Sequence, residues 1–125
     1  MEQPKLTGAS RILRSARVSY SGFRYALANE VAIREQVVAL AVLVPISTLL
    51  PVTALEHLLL VLSLMLVLLV EFLNTAIEAT VDRISLEEHP LSGRAKDLAN
   101  VAVVIAVLMM GLCWVVIVGP VLFHR

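Results

Sequence analysis

Four polar side chains recur along one otherwise apolar stretch: VEFLNTAIEATVDR, Val70 to Arg83, carries Glu71, Asn74, Glu78 and Asp82. At about 100° per residue a helix brings all four, with Thr75, to one face within roughly 60° of Glu71. Carboxylates so grouped, with an amide beside them, are capable of holding a metal ion. The stripe follows directly on LLLVLSLMLVLLV, Leu58 to Val70, a run apolar enough for a bilayer. A carboxylate at mid-membrane costs about 2.5–3.5 kcal/mol on insertion scales, and each Leu or Val returns about 0.3–0.6. The apolar run therefore offsets roughly 4–7 kcal/mol, about what two misplaced carboxylates would cancel. Such a stripe is tolerable against protein, ions or water and has no reason to exist against lipid. Ionisable residues within a span default to function.

The elements that position the stripe follow from composition and hydropathy. The chain has 125 residues, 59% of them hydrophobic, and a mean hydropathy of +0.90. That is too short for two domains and too apolar for an ordinary soluble one, so an integral membrane protein is expected. Ten basic residues balance ten acidic ones, which leaves no basic field for nucleic acid. The single cysteine, Cys113, excludes an intramolecular disulfide, and the scattered histidines lack zinc spacing. Neither a nucleophile elbow nor a Walker loop is present. Arg11, Arg14, Arg17 and Arg24 interrupt the first thirty residues, so no cleaved leader is expected.

A bilayer core of roughly 30 Å needs about 20 helical residues. Gln36 to Leu55 and Leu98 to Phe123 are uncharged, whereas the middle run from Leu58 spans only if the polar stripe continues its helix. Pro45 and Pro51 are placed to kink or end the first span. The expected architecture is all-α: a surface helix over about residues 8–28 and spans over about 30–50, 54–84 and 93–119, forming one membrane domain. Lys5, Arg11, Arg14, Arg17, Arg24 and Arg34 precede the first span, and Arg83, Arg94 and Lys96 lie between the second and third. Only Arg125 falls elsewhere. The positive-inside rule puts the N-terminus and the second connection in the cytoplasm, with the first turn and the C-terminus outside and Trp114 near the outer interface. Ahead of the first span, Ile12, Ala16, Tyr20, Phe23 and Leu27 share one helical face, opposite Arg14, Arg17, Ser21 and Arg24. This predicts an amphipathic helix on the inner membrane surface.

Depth links these elements. Counted inward from Leu58, Glu71 lies about 20 Å and Glu78 about 30 Å along; counted from Leu50, Glu30 also lies about 30 Å in. Two carboxylates from different helices thus reach one level, where SGRAKD, Ser92 to Asp97, brings Arg94, Lys96 and Asp97. The combination offers a metal-capable carboxylate pair, a deeper carboxylate, an amide and cationic groups able to meet phosphate. Arg83, Glu87, Glu88 and His89 read as solvated loop charges. Ala99, Ala102 and Ala106 share a face of the third span and need mean no more than close helix packing.

The blocks SGFRYALANEVAIREQ, VEFLNTAIEATVDRI and HPLSGRAKDLANVAV together resemble the prokaryotic integral-membrane diacylglycerol kinases over nearly the whole chain. The resemblance implies a homotrimer of three-span subunits, each with a surface helix, that phosphorylates a membrane lipid alcohol with MgATP in active sites shared between subunits. By matching position, it implies that Glu71 is the general base, supported by Asn74, and that Glu30 and Glu78 hold Mg2+ with the nucleotide. Lys96, Asp97, Arg11 and Tyr20 join them in binding ATP. Arg11, Ala16, Ser19, Tyr20, Phe23 and Glu71 face the lipid, while Asp82, Gly93 and Arg94 support the site. The implied product is phosphatidic acid, formed at the cytoplasmic face of a bacterial inner membrane. One departure stands out: Glu35-Gln36 follows Arg34 where glutamine then glutamate is expected.

Other readings stay open on the residues. Some relatives of this architecture phosphorylate undecaprenol rather than diacylglycerol, which gives an alternative acceptor. A small transport or channel oligomer would use the stripe as a pathway, but the outer half of that helix continues it with little beyond Ser63. A non-catalytic assembly subunit would not require SGRAKD at the depth of Glu30.

Overall fold

A computed structural model of the chain describes residues 7–123, which fold as four helices: α1 Gly8–Asn29, α2 Val31–Thr48, α3 Ala54–Ile84 and α4 Pro90–Phe123. Lys5 and Arg125 lie outside the described residues. Three of the helices, α2, α3 and α4, are long and apolar enough to cross a membrane.

Each boundary has a local cause. A single extended residue, Glu30 (φ −117°, ψ 111°), separates α1 from α2. Its N–H donates to the Ala26 carbonyl at 2.8 Å and its carbonyl accepts from the Arg34 N–H at 3.1 Å, so backbone pairing persists on both sides of the break. Pro45 sits in the last turn of α2, where its missing N–H weakens the helix. The Leu49 N–H then reaches back to the Ile46 carbonyl at 3.0 Å, closing a tighter turn. Thr53 opens α3 with a capping box: the Glu56 N–H donates to Thr53 Oγ1 at 3.2 Å and the Thr53 N–H donates to Glu56 Oε1 at 3.1 Å. Ser47 Oγ lies 3.0 Å from His57 Nδ1, tying the end of α2 to the first turn of α3.

α3 is the spine. Its 31 residues exceed the roughly 20 that a hydrocarbon layer requires. The polar stretch from Glu71 onward is therefore the unbroken continuation of the apolar span. α3 packs against α2 and against α4, α1 packs against α2, and among the described residues α2 and α4 do not meet. The arrangement is an open row.

The core is correspondingly narrow. Leu60, Ser63, Leu64 and Val67 form the buried line of α3, and Ile33 on α2 and Ala99, Ala106 and Ile117 on α4 are buried as well. Ala102, grouped with Ala99 and Ala106 on spacing, is exposed. It turns about 60° away from Ala99 and leaves the seam. Leu58, Leu62, Met65 and Leu69 on the other side of α3, with Leu108 and Leu112 on α4, are exposed. Only lipid or further protein suits such faces.

Leu64 has no exposed surface, and its carbonyl accepts a hydrogen bond from Gln36 Nε2 at 3.2 Å. Truncation in Leu64→Ala is expected to cost about 2–5 kcal/mol. Equilibrium denaturation in detergent micelles measures it, and an unchanged midpoint would remove this residue from the seam that joins α2 to α3.

Candidate functional site

The polar stripe is in register with the buried seam. Leu60, Leu64, Val67, Glu71, Asn74, Glu78 and Asp82 succeed one another at spacings of three and four, so one face of α3 is apolar and buried above and polar below. Exposure rises along it: Glu71 and Asn74 are half-buried, Glu78 and Asp82 exposed. A partly sheltered carboxylate thus sits nearest the apolar span, and solvated ones lie toward the end of the helix.

Asn74 connects two members of the stripe. Its Nδ2 donates to Glu78 Oε1 at 3.3 Å, while its own Oδ1 is buried without a partner. A buried unsatisfied carbonyl oxygen is costly. Asp82 accepts from Lys96 Nζ at 2.6 Å, tying the start of α4 to the end of α3. The two side chains are 41% and 46% exposed. Exposed ion pairs contribute little net stability, so this ammonium can exchange one anionic oxygen for another at small cost. Arg94 and Asp97 are exposed on the same first turns of α4. Gly93 has open space where a Cβ would project, so no close approach demands glycine there.

Glu30 occupies the junction between α1 and α2, half-buried. On α1, Arg11, Ala16, Ser19, Tyr20 and Phe23 are all exposed. Phe23 stacks on Phe72 with ring centroids 5.9 Å apart and planes 29° from parallel. Ser19, Tyr20 and Phe23 thereby line a groove of about 590 Å³ with Phe72, the chain neighbour of Glu71. Arg11 and Ala16 lie further along α1 and are not among the lining residues.

Oxygen donors alone make up the stripe, as magnesium prefers. Among the described residues no group of three or more His, Cys, Asp or Glu side chains is close enough to hold a metal ion. Magnesium does not need one, since one or two carboxylates plus nucleotide phosphates complete its octahedron. Glu78, exposed and hydrogen-bonded to Asn74, offers one such carboxylate.

Several features escaped spacing arguments. Phe72, which spacing did not single out, joins α1 to α3 through Phe23. Glu87, Glu88 and His89, read as solvated, line a cavity of about 560 Å³ together with Asp82 and Lys96, because the α3–α4 connection folds back over the helix ends. Only the fold-back brings them there. The Glu35-Gln36 order also acquires a reason. Position 36 is half-buried and faces the Leu64 carbonyl, where an amide can donate and a carboxylate cannot, while Glu35 is exposed.

The profile of the prokaryotic diacylglycerol kinase family matches residues 17–118 of this chain. Arg11 and Ala16 precede that match. The chain is 46% identical over 111 residues to the diacylglycerol kinase of Escherichia coli (strain K12), covering 89% of this chain and 91% of that one. Similarity extends at 44% to the diacylglycerol kinase of Pseudomonas aeruginosa, covering 89% and 90%. With that of Haemophilus influenzae the identity is 39% over 119 residues, covering 95% and 98%.

Proposed function

The chain belongs to the prokaryotic diacylglycerol kinase family and is a lipid kinase; on that premise we propose that the lower half of the α3 stripe is where phosphoryl transfer from ATP to diacylglycerol takes place. The observation that carries this reading is the register of α3. The face that packs the helix is the face that turns into Glu71, Asn74, Glu78 and Asp82, so the polar groups are presented toward neighbouring protein at a level that lipid and water both reach. Phosphoryl transfer asks the protein mainly for positioning and charge compensation, and this stripe offers both without a nucleotide fold.

Each residue has a role in this reading. Glu71 accepts the proton of the acceptor hydroxyl as that oxygen attacks the γ-phosphorus, and the bond to the bridging oxygen breaks to release ADP. Asn74 orients Glu78, and Glu78 and Glu30 hold the magnesium that accompanies ATP. Bound there, the ion supplies charge neutralisation to the phosphate oxygens. Lys96 turns from Asp82 to phosphate, with Asp97, Arg94 and Gly93 at the rim. Arg11 and Tyr20 flank nucleotide and lipid together, and Ala16, Ser19 and Phe23 line the lipid's approach beside Phe72.

The row of helices leaves the outer face of α3, with Leu58, Leu62, Met65 and Leu69, uncovered, which favours a homotrimer whose subunits complete one another's sites. Charge asymmetry favours a cytoplasmic N-terminus in a bacterial inner membrane, with α1 as an amphipathic helix on the inner surface. ATP then arrives from water and the lipid alcohol from the bilayer at one interface. Incubation of the purified protein in mixed micelles with radiolabelled ATP, magnesium and a panel of lipid alcohols tests the reading. Absence of label transfer to every lipid would reject it.

Acceptor choice is a separate expectation. Diacylglycerol offers two ester carbonyls that Ser19 and nearby arginines can bond, and a site built for such bonds discriminates against undecaprenol, which lacks them. Initial rates at matched mole fraction should give diacylglycerol the higher kcat/KM. A higher value for undecaprenol reverses the choice.

A further inference from the structure

We propose that Arg34 is a positioning residue for Glu30, fastening the end of α1 to the start of α2 so that the Glu30 carboxylate is held at the one-residue break between them. The inference rests on the reading of Glu30 as a metal-holding carboxylate. Arg34 Nη1 donates to the Leu27 carbonyl at 3.2 Å and to the Ala28 carbonyl at 3.1 Å. Those carbonyls belong to the last turn of α1, which has no basic residue of its own there. A helix C-terminus carries partial negative charge and unpaired carbonyls, and a guanidinium from the next helix meets both needs.

The backbone of Arg34 takes part as well. Its N–H donates to the Glu30 carbonyl at 3.1 Å, and the Glu30 N–H donates to the Ala26 carbonyl at 2.8 Å. Ala26 is buried, and Ile33, beside Arg34, has no exposed surface. Glu30 is thus enclosed by a ring of contacts: backbone bonds before and after it, and the Arg34 side chain reaching back across it to α1. Without that side chain, the extended residue at 30 becomes a hinge on which α1 can swing. Its carboxylate would then sample positions away from the level of Glu78. Asn29, which spends its own Nδ2 on the Tyr25 carbonyl at 2.9 Å, caps α1 but does not reach α2 and cannot replace the clamp.

The clamp is tested with Arg34→Met, which deletes the donors, Arg34→Lys, which keeps a charged donor able to meet helix-end carbonyls, and Glu30→Gln. Magnesium half-saturation and maximal turnover are measured at fixed ATP in micelles. Amide hydrogen exchange at Glu30 is followed in metal-free protein. Residues that orient a ligand typically contribute about 10–100-fold to metal affinity. Arg34→Met should therefore raise magnesium half-saturation by about 10-fold or more while saturating turnover changes by less than about three-fold. Exchange at the Glu30 amide should quicken in parallel, and Arg34→Lys should restore most of both.

Unchanged half-saturation, unchanged exchange, or a lysine variant as impaired as methionine would each overturn the clamp. If Arg34→Met does not assemble, Arg34→Gln, two bonds shorter at its donor, replaces it with the same expectations. An effect of Glu30→Gln on half-saturation without one from Arg34→Met defeats the clamp alone. No effect of Glu30→Gln defeats the reading of Glu30 as well.

Discussion

Glu71→Gln is expected to lower lipid phosphorylation by about 10²–10⁴-fold, the range a positioned general base contributes, while nucleotide affinity stays within about two-fold. The substitution keeps shape and hydrogen-bonding capacity and removes only the ability to take a proton. Glu71 is the half-buried carboxylate of the stripe, next to Phe72 and the groove shared with α1, whereas Glu78 and Asp82 are exposed further along. A lipid hydroxyl arriving from the apolar side therefore meets Glu71 first. Turnover and ATP-analogue binding are measured on the same preparation. Normal turnover in the variant would remove Glu71 from the mechanism, and an equal loss of nucleotide binding would move it to the metal site.

The second large effect concerns Glu30 and Glu78. Loss of either carboxylate should reduce activity by about 10²–10³-fold at ordinary magnesium, since preorganised compensation of phosphate charge is of that size. Mixing the two inactive proteins, Glu30→Gln and Glu78→Gln, under conditions that exchange subunits should restore activity in roughly a quarter of the sites of a cyclic trimer. The fraction arises because a site whose carboxylates come from two subunits is intact only when each neighbour supplies its unmutated one. A mixture of Glu71→Gln and Glu78→Gln is the control: both residues lie on α3, so each α3 face carries one defect and nothing should be restored. Recovery in the control, or none in the first mixture, would contradict sites shared between subunits.

The candidate site was largely legible because it is local in sequence. Glu71, Asn74, Glu78 and Asp82 need only a helix to share a face, and the penalty for lipid-facing carboxylates already tells which way that face must turn. Three apolar helices were legible for a similar reason: hydropathy reports the solvent of a segment without reference to its partners. The T-x-x-E of the capping box at Thr53 and Glu56 is equally local, since its two hydrogen bonds lie within one turn at the start of α3.

What the sequence by itself determined, then, is what periodicity and polarity encode along one helix: the stripe, the spans, and the continuation of α3 beyond the apolar run. The tertiary structure decided the contacts between helices, since each depends on a rotation and a depth that no spacing within one segment fixes. Only there does Phe72 meet Phe23, Gln36 find the Leu64 carbonyl, Lys96 settle on Asp82, and Ala102 leave the seam that Ala99 and Ala106 keep. The same holds for Arg34. On the sequence it was one more positive charge before a span, and only the sharp break at Glu30 turns its side chain back onto the last carbonyls of α1.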